Sequence, residues 1–226
     1  MARVCVFDVN ETLLDLKALD EHFGRVFGDA GVRPIWFAQM IQSALVATVT
    51  DAYADFGTLG GAALDMMAAR RDIRLASMDR AQILGGMRTL PAHPEVAESL
   101  ARLRSAGLRL AALTNSTLAV AMDQLTHAGL AGYFEQILSA DMVRRLKPAP
   151  EPYQMAAERM GVAIGDIRMI AAHAWDIAGA RRAGCAAAFV ARPGMVLDPL
   201  ALPPDIVGAT RREVADQILA LELATT

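Results

Sequence analysis

The sequence predicts an α/β protein with a doubly wound parallel Rossmann-like sheet and an inserted helical cap domain. Two observations carry this prediction. Over residues 91–226, short apolar runs alternate with stretches of helical spacing, as in parallel strands joined by right-handed crossovers. Residues 16–90, which precede this region, show helical spacing and no convincing strand. We therefore expect a core domain from residues 1–15 and 91–226, and a four-helix cap from residues 16–90.

Composition excludes several classes of function. The chain has 226 residues, a net charge of −3 and a hydrophobic fraction of 54%. No apolar run reaches the roughly 20 residues of a membrane span, and the charge offers no basic surface for nucleic acid. Cys5 and Cys185 lie in or beside predicted strands, which indicates free thiols in a reducing compartment. Because a strand begins at Val4, we expect no signal peptide and a cytoplasmic protein that binds a small molecule.

The first predicted element is the buried strand Val4–Phe7, a β-branched and aromatic run that ends at Asp8. Ligands of open α/β sheets bind beyond the carboxyl ends of the strands. Asp8 is therefore a candidate nucleophile. The alternative is an ordinary loop aspartate that caps the turn after the strand.

The cap and the rest of the core follow from periodicity. In the cap, glycines and prolines separate four predicted helices, at residues 16–28, 34–56, 60–71 and 79–88. In the core, predicted helices at 95–106, 118–128, 151–160 and 177–183 alternate with predicted strands at 108–113, 136–139, 166–170 and 186–190. The tail after Arg211 is expected to form one more surface helix.

Polar residues occupy four predicted strand ends, and the ends of parallel strands face one crevice. We therefore expect them to converge on a single site. They are Asp8 to Thr12, Thr114 with Asn115, Lys147, and His173 with Asp176.

These four motifs, in this order, resemble the haloacid dehalogenase superfamily over essentially the whole chain. Most members of that superfamily are magnesium-dependent phosphotransferases. Their pattern requires an aspartate two residues after the nucleophile as proton donor, where this chain has Asn10. It also requires paired carboxylates at the last motif, where Ala172 leaves only Asp176. Both differences argue against a phosphate substrate.

The pattern is more similar to the type II, L-2-haloacid dehalogenase branch. The matching segments are Phe-Asp-Val-Asn-Glu-Thr-Leu, the helical cap, Thr-Asn, Lys-Pro-x-Pro-x-Pro-Tyr and His-Ala-Trp-Asp. A halide leaves as a stable anion, so neither a proton donor nor a metal is required. The resemblance implies hydrolysis of short-chain L-2-haloalkanoic acids to 2-hydroxy acids through an ester on Asp8, without a cofactor. It also implies a homodimer, for which Met40, Met66 and Met67 offer apolar surface.

The resemblance also implies roles for individual residues. Thr12 and Asn115 hydrogen-bond Asp8 or the substrate carboxylate, and the N–H groups of Val9 and Asn10 cradle that carboxylate or the oxyanion. Lys147 keeps Asp8 ionised. Further residues expected at the substrate or its supporting network are Tyr153, Phe37, Gln39, Phe56, Thr114 and Trp175.

Two positions depart from better-known members of the branch. Phe37 stands where those enzymes have an arginine thought to receive the halide, which leaves Asn115, Gln39 and aromatic edges as candidates. His173 stands where they carry asparagine. An imidazole is a natural general base near neutral pH, and Glu11 is close enough in sequence to Asp8 to orient it. We therefore predict that His173 and Glu11 activate the water that hydrolyses the ester, with Asp176 as positioning residue or rival base.

Three alternatives remain open at this point. The first is a magnesium-dependent small-molecule phosphatase, and the second is another metal-independent hydrolase that forms an ester with small carboxylates. The third is a binding protein that retained the fold and lost turnover, for which the missing arginine is the best support.

Overall fold

A computed structural model describes residues 4–223. The strands are β1 (Val4–Phe7), β2 (Arg109–Thr114), β3 (Gln136–Ser139), β4 (Ile167–Ala171), β5 (Ala186–Val190) and β6 (Ile206–Gly208). The α-helices are α1 (Asp20–Phe27), α2 (Val32–Val49), α3 (Phe56–Ala69), α4 (Ser77–Gly86), α5 (Val96–Ser105), α6 (Leu118–His127), α7 (Pro150–Met160), α8 (Ala174–Ala183) and α9 (Arg211–Leu223).

Within the described residues, six parallel strands form one sheet in the order β3-β2-β1-β4-β5-β6. The central strand β1 is buried along its whole length, which explains its continuous apolar run. Phe7 pairs with Ala112 of β2 on one side and with Ile170 of β4 on the other. The loops after these strands therefore meet at one edge of the sheet, and the predicted fold class is confirmed.

The cap is formed by α2–α4, which follow β1 and α1 in the chain. Trp36 of α2 is fully buried, and its indole N–H donates to the carbonyl oxygen of Gly60 on α3 at 2.9 Å. A Cβ atom added to Gly60 would lie 3.1 Å from the Cε atom of Met40, so this glycine permits the close approach of the two helices. The boundaries 16–90 for the cap stay a prediction.

Several predicted boundaries were wrong. The helix predicted over 34–56 ends at Val49, and α3 already begins at Phe56 after Asp55 caps its N-terminus through the Thr58 N–H. The strand β6 was missed, because its three residues carry no period that the sequence could reveal. Met40 and Met67 of the predicted pairing surface are buried inside the cap, whereas Met66 is 38% exposed.

The two cysteines are free and buried, and burial raises the pKa of both thiols to about 12. At pH 8 only about one thiol in ten thousand is therefore a thiolate, the form that reacts. We expect iodoacetamide at pH 8 to leave the folded chain unmodified and to alkylate both cysteines after unfolding in guanidinium. Mass spectrometry of the intact chain measures this; rapid labelling of the folded chain would contradict the burial of these thiols.

Among residues 4–223, none of the helices combines the length and the apolar character that crossing a membrane requires.

Candidate active site

Asp8 begins the site, one residue beyond β1. Its main-chain N–H donates to the Ile170 carbonyl oxygen at 3.0 Å, which continues the sheet pairing and fixes the direction of the chain. Its carboxylate is 4% exposed, and each oxygen accepts a hydrogen bond. Lys147 Nζ donates to Oδ1 at 3.0 Å, and Thr12 Oγ1 donates to Oδ2 at 2.5 Å. Both donors fix the orientation of this carboxylate, whose oxygens are the candidate nucleophiles.

Lys147 lies fully buried at the centre of the site. Its ammonium group donates to Asp8 Oδ1, to Asp176 Oδ2 at 2.6 Å and to the Leu113 carbonyl oxygen at 2.9 Å. These three acceptors use all three of its hydrogens. Burial alone would lower the pKa of Lys147, but the carboxylates of Asp176 and Asp8 outweigh burial, so its pKa lies above the usual value. Lys147 is therefore a permanent cation at neutral pH.

Asp176 lies in the first turn of α8 and is the second carboxylate that bonds Lys147. Its Oδ1 accepts a hydrogen bond from the Tyr153 hydroxyl at 2.6 Å, while its Oδ2 accepts from Lys147. Burial raises the pKa of Asp176, with Lys147 opposing it, and burial together with the charge of Asp176 raises the pKa of Tyr153 well above its usual value. Tyr153 is thus a protonated donor, and both carboxylate oxygens of Asp176 are engaged.

His173 lies two residues beyond β4 and directly before α8. It is 7% exposed, and its Nε2 lies 3.3 Å from the Asn10 carbonyl oxygen and 3.5 Å from Glu11 Oε2. Its ring stacks on Phe37 at 5.6 Å and on Trp175 at 5.2 Å between centroids. Nε2 faces these two oxygens, so the neutral ring carries its proton on Nε2. Nδ1 then has the lone pair that can accept a proton.

Glu11 has a left-handed backbone with φ of +60°, uncommon for a residue with a side chain. The loop that contains it is held from several sides. His93 Nε2 lies 3.2 Å from the Glu11 carbonyl oxygen, and Arg192 and Arg211 donate to the Thr12 carbonyl oxygen at 2.9 and 2.8 Å. These arginines were not predicted from the sequence, because neither lies at a strand end that the motifs identify.

Asn10 turns its side chain away from Asp8. Its amide donates to Ser116 Oγ at 3.2 Å, and its Oδ1 accepts from Gln124 at 3.0 Å. Gln124, fully buried on α6, also donates to the Met87 carbonyl oxygen at 2.7 Å. Through Gln124, Asn10 thus connects the loop after Asp8 to helix α6 and to Met87 at the end of the cap. Nothing in the linear sequence indicated Gln124.

The second strand end supports the lysine. The Asn115 side chain exchanges two hydrogen bonds with the main chain of Lys147, at 2.8 Å to the N–H and 3.2 Å to the carbonyl. Thr114 Oγ1 accepts from the Ser116 N–H at 3.1 Å. The Asn115 side chain therefore bonds the main chain of Lys147 rather than Asp8, one of the two partners expected for it; its bond to the substrate carboxylate stays a prediction.

The remaining predicted residues divide into two groups. Phe37 and Trp175 contact His173, Phe56 meets Phe37 edge to face at 6.5 Å, and Val9 is buried beside Asp8. Gln39 does not join them. Its amide donates to Gln42 and Ser43, and it lines a surface cavity of the cap with Val46, Met66 and Arg70. Gln39 is therefore not placed to receive a halide.

Arg33, one helical turn before Phe37, is the main cap residue that sequence reasoning missed. Its side chain is 9% exposed and pairs with Asp20 at 2.5 Å and with Glu11 at 3.3 Å. Its spacing of four residues from Phe37 places both on one face of α2, which is the signal that could have found it.

The site and sheet are those of a haloacid dehalogenase-like hydrolase, and the chain belongs to this family. The model of the family matches residues 2–184, which contain the cap and all four polar strand ends. Within the superfamily, the chain belongs to the L-2-haloacid dehalogenase branch. It is 30% identical over 184 residues to (S)-2-haloacid dehalogenase 4A of Burkholderia cepacia, with 80% of each chain covered.

Two solved structures extend the comparison to nearly the whole chain. An L-2-haloacid dehalogenase at 27% identity has a TM-score of 0.92, covering 96% of this chain and 99% of that one. L-2-haloacid dehalogenase from Xanthobacter autotrophicus, with chloropropionic acid covalently bound, has a TM-score of 0.90. It is 22% identical and covers 96% of this chain and 98% of that one, which shows a shared fold.

A divalent cation does not fit the carboxylates of this site. Both oxygens of Asp176 are taken by Lys147 and Tyr153, and both oxygens of Asp8 by Lys147 and Thr12. Ala172 contributes only a main-chain N–H, which donates to Thr12 Oγ1 at 2.9 Å. The two carboxylates thus already share a cation of the chain itself, the Lys147 ammonium, and Ala172 adds no side-chain ligand.

Proposed function

We propose that this protein hydrolyses short-chain L-2-haloalkanoic acids to 2-hydroxy acids through a covalent ester on Asp8. The observation that carries the proposal is the Asp8 carboxylate itself, held by Lys147 and Thr12 while Asn10 supplies no acid. Such a group is a ready nucleophile toward carbon. A phosphate monoester would instead require a proton donor for its alkoxide leaving group and a cation against its charge.

In the first step, an oxygen of Asp8 attacks C2 of the substrate from the side opposite the halogen. The carbon–halogen bond breaks, and the halide leaves with the electron pair, so the configuration at C2 inverts. The N–H groups of Val9 and Asn10 bind the substrate carboxylate, and Phe37, Phe56 and Trp175 line the site with apolar edges. Because Phe37 replaces the arginine of better-known members, halide departure is assisted by aromatic edges rather than by a cation.

In the second step, His173 takes a proton from water, and the hydroxide adds to Cγ of the Asp8 ester. Collapse of the tetrahedral intermediate breaks the bond between Cγ and the product oxygen, which takes a proton from the His173 imidazolium to give the 2-hydroxy acid. The remaining proton of Asp8 passes to solvent, which restores the carboxylate. Glu11 stabilises the imidazolium that forms. Asp176 is the weaker candidate for this base, because both of its oxygens already accept hydrogen bonds from Lys147 and Tyr153.

The names of the relatives support this substrate class. One relative is an (S)-2-haloacid dehalogenase, and a structure of the same fold holds chloropropionic acid covalently. Glu11 and His173 support the water-activating step by their contact at 3.5 Å.

The test is halide release from L-2-chloropropionate, followed by isotope transfer. We expect release that resists EDTA, with no cleavage of p-nitrophenyl phosphate. In a single turnover with excess enzyme in ¹⁸O water, the product hydroxyl should carry ¹⁶O from Asp8, and Asp8 should gain the label. Label found only in the product would contradict the ester. Phosphate cleavage that EDTA abolishes, without halide release, would indicate the phosphatase instead.

A further inference from the structure

The side chains that bond Asp8 and Lys147 come from the core, but the His173–Glu11 pair meets the cap twice, through the stack of Phe37 on His173 and through a charged contact with Glu11. Asp8, Lys147 and Asp176 follow core strands or lie in core helices, and so do Thr12 and Tyr153. The Glu11 carboxylate, in contrast, lies between His173 and a side chain of α2.

That side chain is Arg33. Its Nη1 lies 3.3 Å from Glu11 Oε1, while Glu11 Oε2 lies 3.5 Å from His173 Nε2. The carboxylate thus uses one oxygen toward the cap and the other toward the imidazole. Arg33 is itself held from the far side, because its Nε donates to Asp20 Oδ1 at 2.5 Å. The chain of contacts runs from Asp20 through Arg33 and Glu11 to His173.

Glu11 needs such a partner. Its main chain is held by His93, but its flexible side chain is 16% exposed and borders a cleft of about 350 Å³ between cap and core. Arg33 lines the same cleft, and without it the Glu11 carboxylate would keep His173 as its only described ion-pair partner. Ordering a long side chain has an entropic cost that a single 3.5 Å contact offsets poorly.

We propose that Arg33 is a positioning residue for the second half-reaction: it holds Glu11 against His173, so that ester hydrolysis depends on this cap residue and ester formation does not. The inference rests on the proposed function and on its water-activating step. It adds that the cap contributes to water activation as well as covering the site.

A direct role for Arg33 in binding halide is disfavoured by charge. The guanidinium shares a face of α2 with Phe37, the position that lost the family arginine, so this role is the obvious alternative. However, Arg33 is paired with two carboxylates, Glu11 and Asp20, and the three groups together carry a net charge of −1. An anion leaving C2 would gain little from such a cluster.

The experiment separates the two half-reactions. Rapid mixing of enzyme with L-2-chloropropionate gives a halide burst, which measures ester formation, and 2-hydroxy acid release measures hydrolysis. For Arg33→Met we expect a burst rate within about twofold of wild type and hydrolysis at least tenfold slower, part of the 10²–10⁴ that a general base contributes. The matched control is Arg25→Met, an arginine of α1 that bonds Asp79 and Gln82 of α4 and should leave both rates unchanged.

A double-mutant cycle tests the link to Glu11. Glu11→Gln should slow hydrolysis, and adding Arg33→Met should slow it no further, because the residue that Arg33 positions has lost its charge. Arg33→Lys should restore part of the rate, since an ammonium can reach one carboxylate but not both in the same geometry. If Arg33→Met folds poorly, partial rescue of Arg33→Ala by methylguanidinium gives the same information.

Three results would overturn the proposal: equal slowing of both half-reactions, a slowed burst alone, or multiplicative effects of Arg33→Met and Glu11→Gln. A slowed burst alone would indicate that Arg33 stabilises the halide. Failure of the proposed function is distinguishable, because wild-type enzyme would then release no halide at all.

Discussion

Replacing His173 with phenylalanine is expected to stop the enzyme after the first half-reaction, with Asp8 esterified. The phenyl ring preserves the stack on Phe37 and Trp175 but removes both ring nitrogens. Ester formation needs no base, so halide should still be released once per site. Hydrolysis should fall by about 10²–10⁴, the usual contribution of a general base. Mass spectrometry of the intact chain after mixing with L-2-chloropropionate should show a substrate-sized adduct on Asp8.

His127→Phe is the matched control, since His127 is exposed at the end of α6, away from the site. It should turn over normally and accumulate no adduct. Normal turnover by His173→Phe would remove this residue from the mechanism and leave Asp176 as the base. Loss of the halide burst as well would mean that His173 serves the first step.

Replacing Lys147 with methionine is expected to abolish ester formation and to destabilise the fold. The ammonium is fully buried between the carboxylates of Asp8 and Asp176, so its removal leaves two uncompensated charges. Breaking a buried ion pair in this way costs about 3–5 kcal/mol in the free energy of unfolding. The cost should shrink between pH 7 and pH 5, because protonation of one carboxyl relieves the repulsion. Urea unfolding at both pH values measures it.

The chain provides an unusual control for this experiment, because its sequence contains one other lysine, Lys17. Lys17 is exposed, and its main-chain N–H, rather than its ammonium, bonds Asp15. Lys17→Met should change neither halide release nor unfolding. A Lys147→Met variant as stable as wild type at pH 7 would show that the two carboxylates do not repel each other as the structure implies.

The central residues of this site were predictable, because the ends of buried strands can be recognised in a sequence. Asp8, Lys147 and Asp176 follow apolar runs or lie in a recognisable motif, and a parallel sheet brings such positions to one edge. The sheet order and the contacts of Lys147 agree with that expectation. The stack of Phe37 on His173 joins cap to core, and only the resemblance to a family indicated that these residues belong together.

The remaining parts of the site depend on side-chain directions that periodicity does not reveal. Gln39 and Arg33 lie on the same helix, yet one faces a surface cavity and the other Glu11. Sequence reasoning chose Gln39 for its polar amide and passed over Arg33. Asn115 was expected to bond Asp8 or the substrate, but its amide bonds the Lys147 main chain, because two loops distant in the sequence approach each other closely.

The bonds of Asn10 bear on how readily such an enzyme could change its chemistry. Its amide is clamped by Ser116 and Gln124, each from a different part of the core. An aspartate at position 10 would meet the hydroxyl and the amide that already fix this rotamer, and would thus point away from a departing alkoxide. Conversion toward phosphate transfer would therefore require changes at Ser116 or Gln124 together with the change at position 10.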